Sequence, residues 1–173
     1  MPESNTPINN LPDPDDDPAP AVQILNAHGL PIDSMRWQQV AREILVDHGF
    51  PNAELSLVIV DDSTIQELNR RYLNHDYPTD VLSFTLESDP EAGRLQGEVI
   101  VSADTAARVA EELSVDVQHE LLLYATHGVL HLVGYDDAQP AEREQMRAAE
   151  RRYLEQIGIV DHAWVGTTQR GAP

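Results

Sequence analysis

Cysteine is absent from all 173 residues. That excludes a disulfide framework, an iron–sulfur cluster, a thiolate zinc site and a cysteine nucleophile together, so any metal must be held by imidazole and carboxylate. Lysine is absent too: the 11 basic residues are all arginine and face 30 acidic ones, for a net charge of −19. Such a balance works against diffuse attraction to nucleic acid, because phosphate binding rests on Lys and Arg. An RNA substrate would need clustered arginines or a metal ion to offset that field. No apolar run is long enough to cross a bilayer; the longest, Leu121 to Tyr135, carries two histidines. The opening Met1-Pro-Glu-Ser-Asn-Thr6 lacks the basic and apolar regions of a secretory signal. The expectation is a soluble cytoplasmic protein without membrane contact.

What is present suits one domain with a single core, since hydrophobic residues make up 41% of the chain. Residues 1–20 hold Glu3, Asp13, Asp15, Asp16 and Asp17, no base and few large apolar groups, and read as a disordered acidic tail. Residues 159–173 read as a loose C-terminal tail, which leaves 21–158 as the folded domain. Within it, periodicity predicts strands at 22–26, 55–60, 80–84 and 97–102. Helices are predicted at 34–48, 63–72, 103–113, 116–133 and 141–157. The first carries an apolar stripe of Met35, Trp37, Val40, Ala41, Ile44 and Leu45. Ser63 and Gln66 form the pattern of a capping box for the second. Strands first and helices last imply an α+β fold, with one mixed four-stranded sheet and helices packed on it.

The informative segment is His127-Gly-Val-Leu-His131-Leu-Val-Gly134-Tyr-Asp136-Asp137. Residues four apart share one helix face, so the two imidazoles can converge on one ion. Gly134 tolerates the left-handed conformation that ends a helix, and the chain can turn back to bring Asp137 to the same ion. Three protein ligands leave a fourth position open, the mark of a catalytic zinc site, and His127 is the expected catalytic residue. The spacing also matches the metzincin protease motif. Gly128 stands where those proteases carry their general-base glutamate, which argues against peptide hydrolysis.

These residues closely resemble the YbeY family of bacterial endoribonucleases. The family motif H-G-x-L-H-L-x-G-Y-D-H meets HGVLHLVGYDD here. Asp76-Tyr-Pro-Thr-Asp80-Val-Leu-Ser-Phe84 is similar to D-x-P-T-(D/N)-V-L-S-F, and Gly97-Glu-Val-Ile-Val-Ser102 to G-(D/E)-I-x-I-S. Met146 and Glu150 fit the M-x3-E of the last family helix. The resemblance implies a zincin-like fold, one zinc per chain, and cleavage of single-stranded RNA in rRNA maturation and ribosome quality control. The implied partners are rRNA or ribosomal particles, and a ribosome-associated protein. Two positions depart from the pattern. Asp137 replaces the usual third histidine, which adds a negative charge and suits harder ions such as Mn²⁺. Leu73 stands where the family carries an arginine.

Arg70 and Arg71 lie close to that position and are candidate phosphate contacts; Ser83 is a candidate for lining the cleft, with an ordinary strand serine as the alternative. Glu120, two turns before His127, reads as an exposed carboxylate at a helix start, or else as a hydrogen-bond partner of groups around the site. His119 and His75 read as solvated. Arg143, Arg147 and Arg151, with Arg152, form a stripe interleaved with Glu142, Glu144 and Glu150, and read as a salt-bridged solvent face rather than a phosphate site. Two other functions stay open on these residues: a metal-dependent hydrolase of another substrate, and a non-catalytic ribosome-assembly adapter with a structural metal.

Overall fold

The computed structural model describes residues 18–160. In chain order the elements are β1 (Ala21–Asn26), α1 (Ser34–Asp47), β2 (Glu54–Val60), α2 (Asp62–Leu73), β3 (Val81–Asp89), β4 (Arg94–Ser102), α3 (Ala103–Leu113), α4 (Val117–Leu132) and α5 (Pro140–Gln156). The strands form one sheet in the order β1-β2-β4-β3. β1, β2 and β4 run parallel, while β3 is antiparallel to β4 and forms an edge. The expected α+β class with a mixed four-stranded sheet is what the chain adopts. Most of the predicted 1–20 tail, and residues 161–173 of the predicted C-terminal one, lie outside the described residues. Both proposed boundaries fall inside packed structure: Pro20 is buried and its carbonyl accepts from Arg42 Nε, while Ile159 is 1% exposed.

Strand alternation sorts the apolar residues onto two faces. Leu55, Leu57, Ile59, Val99 and Val101 join the main core with Trp37, Ile44 and Leu45 of α1 and most of α4. Val60, Leu82 and Ile100 point the other way and pack on Ile65 of α2. α4 is buried from Glu120 to Leu130 without interruption and touches α1, α3, α5, β3 and β4. A helix apolar all round belongs at the centre of a fold, and this one carries both histidines there.

Local differences from expectation have simple causes. α2 starts at Asp62 and is capped by Asp61, whose carboxylate accepts from Thr64 N at 2.8 Å. Ser63 instead donates to Asp61, and Gln66 to Asp76; the charged cap two residues upstream takes the role. Met35 is 80% exposed. Stepping back three or four residues from Trp37 reaches Ser34 or Asp33, so Met35 falls off the buried stripe. β3 runs to Asp89 because β4 begins at Arg94 and pairs with it, with a register shift between Thr85 and Glu87 that leaves Leu86 out of the ladder.

Candidate metal centre

His127 and His131 lie one turn apart on α4, and their Nε2 atoms approach to 2.9 Å. Beyond Leu132 the helix stops as predicted. Gly134 adopts φ +107°, its amide bonds to His131 O, and the Tyr135 amide bonds to Leu130 O. The reversal brings Asp137 back over the imidazoles, with Oδ2 3.6 Å from His127 Nε2 and Oδ1 3.8 Å from His131 Nε2. Asp136 turns away and accepts from the Asp137 amide at 2.7 Å. Among the described residues, His127, His131 and Asp137 are the group whose donor atoms gather as metal ligands do.

The hydrogen bonds around the rings fix which nitrogens are bare. A carbonyl oxygen can only accept, so His131 Nδ1 carries the proton it donates to Tyr135 O at 2.9 Å. His127 Nδ1 donates to Glu150 Oε1 at 2.6 Å, a pair that is almost wholly buried. Both Nε2 lone pairs therefore face each other beside a carboxylate. Three converging acceptors repel unless a cation sits among them, and the donor set of two imidazoles and one carboxylate suits zinc. Burial works against a charged His127, but the hydrogen bond and charge of Glu150, with Asp80 and Asp137, outweigh it and hold its pKa above the ordinary value. Burial, then the charge on His127, pushes His131 the other way.

Glu150 is the residue whose place sequence reasoning missed. The sequence pattern sets it among solvent-facing glutamates, yet it is 2% exposed and, from α5, accepts from an imidazole of the candidate metal group. The signal was its spacing from buried Met146, four residues earlier on the same face. Glu120 also departs from its expected exposure: it is fully buried, because α4 enters the core within its first turn. Asp80, just before β3, is buried with Oδ1 accepting from Thr79 Oγ1 and the Val81 amide. Burial raises its pKa, and the charge of nearby His127 counters that.

Gly128 faces the sheet rather than the imidazole cluster. A Cβ there would lie 2.4 Å from Val99 Cγ1, 2.9 Å from Ser83 Oγ and 3.0 Å from Val81 Cγ2. A general-base glutamate cannot occupy this position without displacing α4. Ser83 donates its hydroxyl to Gly128 O at 3.1 Å and so ties β3 to the histidine helix. Arg70 and Arg71 are exposed on the last turn of α2, with the Arg71 guanidinium 5.5 Å over the Tyr72 ring. They stand outside the His–His–Asp group. His75 is exposed and stacked on Tyr77. Two arginines of the α5 stripe reach beyond their own helix: Arg152 pairs with Asp47 on α1, and Arg143 donates to the carbonyls of Asp137 and Ala138.

Residues 23–158 match the family described as Endoribonuclease YbeY. The chain belongs to the YbeY family of endoribonucleases. Relatives of that name include those of Syntrophotalea carbinolica, 47% identical over 66% of this chain and 78% of theirs, and Geobacter metallireducens, 44% identical over 75% and 92%. The protein of Salinibacter ruber is 41% identical over 73% and 84%. A solution structure from Thermotoga maritima is similar with a TM-score of 0.56 and 25% identity, covering 80% of this chain and 88% of that one. The match to the YbeY family spans nearly all the described residues, and it includes His127, His131 and Asp137. No described helix is long and apolar enough to cross a membrane.

Proposed function

We propose that this YbeY-family chain is a zinc-dependent, single-strand-specific endoribonuclease that acts on rRNA in cytoplasmic ribosome maturation and quality control. The observation that carries the reading is the pair of Nε2 atoms left bare by two committed Nδ1–H groups, with Asp137 closing the third side. His127, His131 and Asp137 hold the ion. When bound, it supplies a Lewis acid that stabilises charge developing on a phosphoryl oxygen.

The protein's own part is to keep that site in one geometry. Glu150 orients His127 and raises the basicity of its ring, as a carboxylate behind a ligating imidazole does. The Tyr135 carbonyl does the same for His131, and the Tyr135 ring packs edge-on against His48. Arg70 and Arg71 offer phosphate contacts from the end of α2. Ser83, its proton committed to Gly128, offers only its lone pairs. With Leu73 in place of the family arginine and a net charge of −19, affinity for free RNA is low, and delivery by a ribosomal particle or its associated protein compensates through local concentration.

The test is cleavage of end-labelled single-stranded rRNA fragments at fixed salt, with and without a chelator, in the wild type and in Leu73→Arg. The reading predicts chelator-sensitive cutting, with tighter RNA binding in Leu73→Arg. Uncut rRNA in the presence of zinc and ribosomal particles overturns it in favour of another hydrolytic substrate.

A further inference from the structure

Aspartate at position 137 sets a geometric problem. A carboxylate on one methylene ends closer to its own backbone than the far nitrogen of an imidazole. The backbone of residue 137 must therefore be held close to the ion, in the loop between α4 and α5. Arg143 is placed to do this. It lies in the first turns of α5, and its Nη1 donates to Asp137 O at 3.1 Å and to Ala138 O at 2.9 Å. One nitrogen bonded to two successive carbonyls fixes the peptide between them. The anchor is itself secured: Arg143 N bonds to Gln139 O, and Gln139 with Glu142 closes a capping box at the start of α5. The guanidinium also brings a cation to a loop that carries Asp136 and Asp137.

We propose that Arg143 is a positioning residue of the metal centre, holding the Asp137–Ala138 peptide so that the Asp137 carboxylate converges with His127 and His131. The role rests on the reading of Asp137 as the third ligand. It replaces the solvent-face or phosphate-binding role that the spacing of the arginines suggests.

The experiment is a double-mutant cycle on metal affinity, read by competition between the full-length protein and a chromophoric chelator for zinc. The variants are Arg143→Met, Arg143→Lys, Asp137→Ala and the Arg143→Met/Asp137→Ala pair. Arg143→Met should weaken zinc binding about tenfold, the lower end of what orienting partners of ligands contribute. Arg143→Lys should recover part of that loss, because an ammonium can donate to the same carbonyls. In the Asp137→Ala background Arg143→Met should cost nothing further, since no carboxylate is left to position. The visible absorption of the cobalt-loaded protein should change in Arg143→Met, which a remote loss of stability would not produce. No loss in Arg143→Met, or an equal loss with and without Asp137, overturns the proposal. Unchanged affinity in Asp137→Ala alone overturns the ligand reading beneath it.

Discussion

His127 Nδ1 and Glu150 Oε1 are 2.6 Å apart, in a buried pair that joins the central helix to the last one. The contact sets the tautomer of the imidazole and directs Nε2 at His131 and Asp137. Replacing Glu150 with Gln keeps the size of the side chain but removes its charge, and the amide can present either an oxygen or an NH₂ to the ring. Metal affinity should fall by about 10- to 100-fold. A chelator competition giving wild-type affinity for Glu150→Gln would show that the carboxylate does not tune the site.

Gly128 tests how closely α4 must lie on the sheet. Alanine gains about 1 kcal/mol over glycine in helix propensity. Against this, its Cβ would meet Val99, Ser83 and Val81 at 2.4 to 3.0 Å, and two of these are β-branched side chains stiff at χ1. Overpacking of that kind costs about 1–3 kcal/mol and should win. Urea unfolding of the metal-free Gly128→Ala protein should therefore show a lower midpoint than wild type. An unchanged or higher midpoint would mean that the helix can back away freely.

The two histidines of the candidate metal group were legible because they share one helix, where a spacing of four residues is itself geometry. Gly134 added the place of the turn. Glu150 could not be reached that way, since it lies 23 residues from His127 on another helix and meets it only after α4 and α5 pack. The burial of Glu120 is hidden from the sequence for a related reason: acidic residues at helix starts are usually solvated, and only the immersion of α4 among its neighbours buries this one. β1 and β2 were placed to within one residue, whereas β4 begins at Arg94, three residues before the predicted start. The polar half of β3 escaped because Thr85 to Asp89 is held by pairing with β4 rather than by any pattern of its own.

Asp137 and Asp136 are distinguished by the turn. Asp136 is spent on the Asp137 amide, whereas Asp137 faces both rings. Asp137→Ala should lower metal affinity far more than Asp136→Ala does, and Asp137→His should keep it, because a third imidazole is an equally good zinc ligand. Zinc titration of the three variants decides the matter, and a greater loss in Asp136→Ala would reverse the assignment.

The imidazole pair makes metal and proton compete. In the metal-free protein the His127 pKa lies above 6.5, so its contribution to stability is fully present below pH 6.5 and is lost as pH rises through the folded value. His131 is displaced downward, so the unfolded chain holds its proton more tightly and acid destabilises the fold through this residue from 6.5 downward. The metal-free pair thus favours the fold most near the ordinary imidazole value. Zinc needs both Nε2 atoms deprotonated, and its stabilisation grows as pH rises. Thermal midpoints with zinc and with chelator, measured from about pH 5 to about pH 8.5, should diverge as pH increases. A gap that stays constant would place the ion elsewhere.

The most direct measurement is the metal content of the purified protein by elemental mass spectrometry, for the wild type and the His127→Ala/His131→Ala double variant. Circular dichroism would confirm that the variant keeps its helices. The wild type should carry about one zinc per chain and the folded double variant essentially none, because Asp137 alone cannot hold the ion. Stoichiometric zinc retained by the double variant would contradict the account at its centre.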